Sequence, residues 1–228
     1  IRNDFGAMVD NSVDELGSKV TDFSANINPM GIPESVREAV VNSLEMCENY
    51  PQMFCDDLRE KIGRRYGVDS SFIICGNGAS DVLYRYVFAI KPKNAVVAAP
   101  CFAEYEAALE CVGAKVEYYQ INHNTFEIED DFMEMFEYKP DMIFLCNPNN
   151  PTGIVINDRL LERIIKECDR NGVRIFLDEC FLDFTGQEDK LSYVKNILRY
   201  RGLFVLKAFT KMLSLIHISE PTRPLYIS

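Results

Sequence analysis

Lys211 is the residue whose chemistry comes first, because it follows a short apolar run that predicts a buried strand at 203–206. A parallel sheet places reactive groups at the carboxyl ends of its strands. A lysine there can form a Schiff base with an aldehyde cofactor if its ammonium loses its proton in a partly apolar site. Since a lysine after a strand is more often a solvated surface charge, the hypothesis depends on the residues at the ends of the other strands.

Two loops could supply a phosphate cradle and a ring-stacking group. Residues 75–81, CGNGASD, predict a glycine-rich turn into a helix, where backbone N–H groups can bind phosphate and Ser80 can add its hydroxyl. The same turn could equally be a tight connection with a helix cap. Phe102 follows the next predicted strand and could stack on a flat ring, although an aromatic residue there is more often part of the core.

Two further strand ends carry amide and carboxylate groups. Residues 147–153, NPNNPTG, form a forced turn, and their Asn side chains either donate to a phenolate or carboxylate or serve the turn alone. Asp178 closes an apolar strand, where it could hold a pyridinium nitrogen protonated and make the ring an electron sink. A P-loop ATPase strand also ends in Asp-Glu, but it requires a GxxxxGK[ST] string that the sequence lacks. Together these groups are the parts of a pyridoxal-phosphate site.

The elements that must position these groups alternate regularly along the chain. Short apolar runs predict six strands, at 71–75, 95–99, 114–119, 142–146, 174–179 and 203–206. Amphipathic patterns predict helices at 33–46, 56–66, 79–90, 103–113, 129–137, 157–172 and 190–200. This alternation predicts an α/β fold, a three-layer sandwich around a mostly parallel sheet.

The composition excludes several classes of function. A net charge of −11 argues against a protein that binds nucleic acid or an anionic membrane. The eight cysteines include no CxxC pair and read as reduced residues of a cytoplasmic protein. Two histidines leave almost no material for a zinc site or a His-based triad, and no apolar run is long enough to span a bilayer.

Six motifs together give the sequence a family resemblance: DFSANINP at 22–29, YP at 50–51, GNG at 76–78, NPNNPTG at 147–153, LDE at 177–179 and FTK at 209–211. From about Asp22 to Met212 the chain resembles the pyridoxal-phosphate-dependent aminotransferase class I/II superfamily, which has fold type I. Within it, the chain resembles the branch that holds histidinol-phosphate aminotransferase and threonine-phosphate decarboxylase.

The resemblance implies a catalytic role for two residues. Lys211 would carry the cofactor and move the proton at the substrate α-carbon, and Asp178 would pair with the pyridine nitrogen. Asn150 would hydrogen-bond the ring oxygen, and Phe102 would stack on the ring. Lys207 is a rival for the Schiff base, but it lies within the predicted strand, and the family's Ser or Thr directly before the lysine selects Lys211.

The resemblance also implies how phosphate, substrate and a second subunit are bound. Ala79, Ser80 and Thr210 would hold the cofactor phosphate, and Asn26 would contact the substrate. Tyr50 matches a tyrosine that reaches the phosphate of the neighbouring subunit, which implies a homodimer.

The preferred function is decarboxylation of threonine phosphate in cobalamin side-chain synthesis. DFSANINP together with FAEY at 102–105 favours the decarboxylase subgroup, and Phe181 stands where the aminotransferases usually carry a tyrosine. The alternative is transamination of histidinol phosphate with 2-oxoglutarate. A non-catalytic binding module that retains the fold is a second class. A nucleotide-binding protein is a weaker third, because the sequence lacks GxxxxGK[ST] and Asp81 stands where the third glycine of a dinucleotide-binding GxGxxG loop belongs.

The chain divides into three predicted segments. Residues 1–31 are an N-terminal arm whose start we expect to be missing, and residues 32–212 are the pyridoxal-phosphate-binding large domain. Residues 213–228, LSLIHISEPTRPLYIS, resemble a translated sequencing adapter and are expected to be a non-native tail. The family would continue past Met212 with a further strand and a small domain, so we expect the chain as printed to be poorly soluble and inactive.

Overall fold

The computed structural model of the chain describes residue 26 and residues 28–213. Most of the predicted N-terminal arm and almost all of the predicted tail lie outside these residues. A five-stranded parallel sheet forms the centre, in the order β2-β1-β3-β4-β5. Its strands are β1 (Asn94–Ala99), β2 (Lys115–Gln120), β3 (Met142–Cys146), β4 (Arg174–Asp178) and β5 (Leu203–Leu206).

Helices cover both faces of this sheet. The α-helices are α1 (Glu34–Asn42), α2 (Asp56–Tyr66), α3 (Gly78–Ile90), α4 (Glu104–Cys111), α5 (Asp158–Asn171), α6 (Glu188–Leu191) and α7 (Phe209–Met212). Short 3-10 helices lie at Leu44–Glu48, Ser70–Phe72, Asp130–Tyr138, Leu182–Thr185 and Val194–Asn196. One core joins the sheet to α3 and α4, and a second joins its other face to α5 and the 3-10 helix at Asp130–Tyr138. The predicted three-layer α/β architecture is confirmed.

Helix α5 shows how the sequence sets these elements. The Asn157 side chain accepts hydrogen bonds from two first-turn N–H groups, and Gly172 ends the helix in a left-handed conformation at φ 68°. Leu161, Ile164 and Cys168 recur at helical spacing and are buried against the sheet.

The predicted strand at 71–75 is wrong. Its first residues belong to the 3-10 helix Ser70–Phe72, and Ile73 is extended, at φ −110° and ψ 131°, without joining the sheet. A strand needs a neighbour for its main-chain N–H and C=O groups. Among the described residues no strand lies beside this segment, and β5, the edge strand, pairs only with β4.

The predicted helix at 190–200 is also wrong as a single element. It is divided into α6 and the 3-10 helix Val194–Asn196, because Ser192 is extended at φ −73° and ψ 134°. The Ser192 hydroxyl and the Tyr193 N–H both donate to the Glu179 carboxylate, each at 2.7 Å. This contact with the end of β4 overrides the local helical pattern.

The first predicted helix is shorter than expected and its apolar face remains open. Helix α1 ends at Asn42, and it contains no buried residue. Val36 and Val40 are half-buried, whereas Leu44, which lies at the same helical spacing within the predicted helix, is 61% exposed. The amphipathic pattern therefore predicts the helix correctly but not a partner for it within the described part of the chain.

Two negative findings concern the described residues alone. None of their helices is long and apolar enough to cross a bilayer. None of their His, Cys, Asp and Glu side chains are grouped in a way that could hold a metal ion.

A buried ion cluster ties β5 to three neighbouring segments. The Lys207 ammonium, one residue past β5, lies 2.7 Å from Glu188, 3.4 Å from Asp183 and 3.7 Å from Glu179. The Tyr66 hydroxyl, at the end of α2, donates to the Glu188 carboxylate at 2.8 Å. The cluster therefore joins α2, α6 and the segment after β4 to the strand that precedes Lys211.

The charges of this cluster support one another. Burial works to lower the pKa of Lys207, but its hydrogen bond with Glu188 and the charges around it outweigh burial and raise that pKa. Burial opposes ionisation of Glu188 as well, yet hydrogen bonds from Lys207 and Tyr66 lower the pKa of Glu188 to about 2. Lys207 is consequently held as an ammonium ion.

We predict that Lys207→Met lowers the free energy of unfolding by about 3–5 kcal/mol, because it leaves buried carboxylates without their cation. The loss should diminish as the pH falls through the raised folded-state pKa values of Glu179 and Asp183, and it should disappear only when the pH falls below the lowered pKa of Glu188, about 2. Urea unfolding at several pH values measures both effects. Lys166→Met is the control, because Lys166 pairs with Glu162 at 2.8 Å on the exposed face of α5. Equal stability losses in the two variants would contradict the prediction.

Candidate functional site

The buried polar side chains of the described residues lie at one edge of the sheet. They are Asn147, Asn149, Asp178, Glu179 and Thr210. Each lies at the carboxyl end of β3, β4 or β5 or in the segment that follows, and Cys146, Asp178 and Leu206 are aligned across the three strands. Burying polar groups costs free energy unless they are paired, so such a concentration marks a built site.

Asp178 is oriented by two donors. The Tyr105 hydroxyl donates to Oδ2 at 2.5 Å, and the Cys180 N–H donates to Oδ1 at 2.9 Å. Burial raises the pKa of Tyr105 well above its ordinary value, and the charge of Asp178 raises it further, so the phenol remains a donor. Tyr105 was missed in the sequence, although it lies only three residues after Phe102.

Phe102 lies beside this pair, as its place at the end of β1 predicted. Its ring is half-buried and meets the ring of Tyr105 edge-to-face, with centroids 5.6 Å apart and planes 85° apart. Tyr105 in turn packs on Phe144 of β3 and on Phe176 of β4. The aromatic group at this edge is thus continuous with the core below it.

The side-chain amides of the NPNNPTG loop have two functions: some hold the turn together and one contacts another predicted site residue. The Asn147 side chain accepts from the Ile156 N–H at 2.9 Å, and the Asn149 amide donates to the Pro100 carbonyl at 3.1 Å. Both residues hold loops together. Asn150 is half-buried instead, and its Oδ1 accepts from the Asn26 amide at 3.3 Å. The structure therefore brings together two predicted site residues that are 124 positions apart.

The glycine-rich turn leads directly into α3. A Cβ at Gly76 would lie 2.6 Å from Asp81 Oδ2 and 2.6 Å from Val82 Cγ2, so only glycine fits without a shift. The Asp81 carboxylate accepts from the Asn77 N–H at 2.9 Å, which fixes the turn. Ala79 and Ser80 lie in the first turn of α3, where a helix cannot bond its own N–H groups. This geometry allows both an anion site and a helix cap.

Lys211 lies in α7, the single turn that follows β5. Its side chain is half-buried, and Thr210 before it is buried. Burial raises the pKa of the nearby Cys180 thiol, Asp178 raises it further, and the positive charge of Lys211 counteracts them. Lys211 and Asp178 thus both act on this thiol. Lys207, its rival in the sequence, lies in the ion cluster and is held charged.

Tyr50 is not brought to this edge within the chain. It lies between the 3-10 helix Leu44–Glu48 and α2, and its side chain is fully exposed. Within the described part of the chain, no contact joins Tyr50 to the other predicted site residues.

Comparison with known proteins gives a consistent set of relatives. A family model described as aminotransferase class I and II matches residues 18–216. The threonine-phosphate decarboxylase of Salmonella typhimurium is 32% identical over 194 residues, which are 85% of this chain and 53% of that protein. An adenosylcobalamin biosynthesis bifunctional protein of Leptospira interrogans is 30% identical over 202 residues, which are 86% of this chain and 23% of that protein.

Solved structures show the same fold. The histidinol-phosphate aminotransferase of Clostridium acetobutylicum matches with a TM-score of 0.77 at 28% identity, over 88% of this chain and 59% of that one. The chain spans about half the length of the Salmonella relative and a smaller share of the Leptospira one. The family resemblance drawn from the motifs is confirmed. Matched over most of its length, the chain belongs to the aminotransferase class I and II family of pyridoxal-phosphate-dependent enzymes.

Proposed function

We propose that residues 32–212 form the pyridoxal-phosphate-binding large domain of an enzyme that acts on a phosphorylated amino acid or amino alcohol. The observation that carries this proposal is that Asp178 ends β4 and Lys211 lies in the turn after the adjacent strand β5, with Asp178 oriented by Tyr105 and Lys207 held as an ammonium ion. Lys211 is then the lysine suited to the cofactor aldehyde. We further propose a cytoplasmic protein, on its cysteine-rich sequence without a CxxC pair.

The residues around Asp178 fit the cofactor ring. When bound, pyridoxal phosphate supplies an electron sink for a bond broken at the substrate α-carbon. The Asp178 carboxylate accepts the ring N–H and keeps that nitrogen protonated, while Tyr105 fixes the direction of the carboxylate. Because Oδ1 of Asn150 accepts the hydrogen bond from Asn26, the amide nitrogen of Asn150 is the group that would donate to the ring oxygen. Phe102 would stack on one face of the ring.

The phosphate site and the proton carrier complete the assignment. Ala79 and Ser80 would bind the phosphate through the amino end of α3, and the Thr210 hydroxyl would add a donor from α7. Lys211 would move the proton at the substrate α-carbon: as a neutral amine it would remove that proton in transamination, and as an ammonium ion it would deliver one in decarboxylation.

We predict that borohydride treatment of the protein with pyridoxal phosphate fixes the pyridoxyl group on Lys211 alone. Borohydride converts a lysine–aldehyde linkage into a stable secondary amine, which peptide mass spectrometry locates. Lys207 should stay unmodified, because its ammonium is held by three carboxylates. Lys211→Ala should lose the label entirely. A label on Lys207 in the unsubstituted protein would sink the assignment.

Decarboxylation of threonine phosphate is the favoured reaction. The Salmonella and Leptospira relatives support it, and Phe181, half-buried after Asp178, brings no hydroxyl to the ring oxygen. Transamination of histidinol phosphate is the second candidate, supported by the likeness to the Clostridium enzyme. A non-catalytic module is disfavoured, because it would have no need to keep Lys211, Asp178 and Asn150 together.

The reaction is tested with the gene recovered at the length of these relatives. Given O-phosphothreonine and no keto acid, the enzyme should release carbon dioxide and aminopropanol phosphate in equal amounts. Turnover of histidinol phosphate only with 2-oxoglutarate would transfer the assignment to the aminotransferase. Lys211→Ala is the control, and its activity should fall to background, because the essential amine is absent.

We propose that the enzyme is a homodimer formed through the open face around α1. Large apolar side chains are left exposed there by the described part of the chain: Met30, Val41, Leu44, Met46, Tyr50, Met53, Phe54 and Leu58. All eight fall within residues 30–58, and such a concentration of exposed apolar side chains marks an interaction site. Tyr50 lies in this patch, where it could reach the cofactor phosphate of the partner subunit.

Leu44→Glu should convert the dimer to a monomer, because it places a charge within the apolar patch. Leu198→Glu is a matched control, since Leu198 and Leu44 are both 61% exposed and Leu198 lies outside the patch. Light scattering after size exclusion measures the mass of each variant. Dissociation of both variants, or of neither, would contradict the proposed interface.

A further inference from the structure

Asn28 joins the N-terminal segment to the helix that carries Lys211. Its main-chain N–H donates to the Lys211 carbonyl at 3.0 Å, and its side-chain amide donates to the Met212 carbonyl at 3.0 Å. Asn28 and Met212 are 184 positions apart in the sequence, so this contact depends entirely on the tertiary fold.

The rest of Asn28 is engaged in holding its own loop. Its Oδ1 accepts from the Met30 N–H at 3.0 Å, and its carbonyl accepts from the Gly31 N–H at 3.0 Å. Main chain and side chain are therefore both fixed, and the two donors aimed at α7 are held by a turn that the same residue closes.

Helix α7 needs these donors because it is a single turn. It covers Phe209–Met212, and its last internal bond runs from the Leu213 N–H to the Phe209 carbonyl at 2.9 Å. The carbonyls at the end of a helix have no N–H of their own helix to accept from. Asn28 supplies donors to two of them, those of Lys211 and Met212.

We propose that Asn28 is a positioning residue for Lys211: it caps α7 from a distant segment and so fixes the backbone from which the lysine amine reaches the site. The proposal rests on the assignment of Lys211 as the cofactor-binding lysine. Asn26, two residues earlier, contacts Asn150, so one short segment holds both the lysine helix and the amide assigned to the ring oxygen.

The test removes only the side-chain donor. Asn28→Ser and Asn28→Asp both keep an oxygen for the Met30 N–H but lack the amide that reaches Met212. Asn171→Ser is the matched control, because the Asn171 amide donates to the Glu167 carbonyl at 2.9 Å near the end of α5, far from Lys211. Two independent Asn28 variants keep the test valid if one of them folds poorly.

The first readout is hydrogen exchange of the peptide covering residues 207–213, measured without cofactor. Loss of one hydrogen bond should accelerate exchange there by about threefold to tenfold in both Asn28 variants, and not in the control. The second readout is the rate at which added pyridoxal phosphate becomes fixable to Lys211 by borohydride. This rate should fall by about tenfold or more, because a lysine held loosely reaches the aldehyde less often.

Unchanged exchange at 207–213 would overturn the proposal, since the cap would then not hold α7. Faster exchange with an unchanged rate of fixation would also overturn it, because Asn28 would be a cap without influence on the lysine. If the unsubstituted protein forms no linkage at all, the assignment of Lys211 fails instead, and the exchange readout still decides whether Asn28 anchors α7.

Discussion

The parallel sheet imposes the constraint on which the rest of the structure depends. Strands β3 and β4 are buried on both faces by helices, so their side chains must be apolar along almost their whole length. Polar groups can enter only where the strands end, and parallel strands all end at one edge. The buried amides, carboxylates and hydroxyl of this chain are accordingly concentrated at the carboxyl ends of β3, β4 and β5.

The same constraint separates two neighbouring carboxylates by face. Asp178 and Glu179 are consecutive, and consecutive side chains of an extended segment point to opposite sides. Asp178 meets the Tyr105 phenol on the α4 side, whereas Glu179 meets Ser192, Tyr193 and Lys207 on the other. The carboxylate that we propose for the cofactor and the carboxylate that joins the ion cluster are thus encoded side by side. The two lysines are divided in a similar way: Lys207, after β5, belongs to the ion cluster, whereas Lys211, in α7, is the lysine that we propose for the cofactor.

The sequence predicts what depends on local pattern and fails where tertiary contacts decide. Alternating apolar runs and helices predict five of the strands and the layers, and the strand-end loops predict the edge at which Phe102, Asn150, Asp178 and Lys211 lie. The run at 71–75 has the composition of a strand, but a strand also needs a neighbour, which composition does not encode. Likewise Ser192 is drawn out of a helical pattern by Glu179.

Contacts between residues that are distant in the sequence could not be predicted for the same reason. The bond from Tyr105 to Asp178 spans 73 positions, and the bond from Asn28 to Met212 spans 184. Neither residue type suggests its partner. The resemblance assigned Asn26 to the substrate, and the structure shows in addition that Asn26 contacts Asn150. The substrate role stays a prediction.

Strand β5, which precedes Lys211, has the least sheet pairing of the strands in the described sheet. Strand β5 has four residues and hydrogen-bonds to β4 on one side only, so its sheet pairing contributes about half of what an internal strand receives. Its end is held by other means. Lys207 joins it to carboxylates beyond β4 and to α2 through Glu188 and Tyr66, and Asn28 caps the turn that follows. The ion cluster before Lys211 and the cap after it thus anchor this edge, as a second neighbouring strand would. The segment that carries Lys211 is therefore held by side-chain contacts as well as by the sheet.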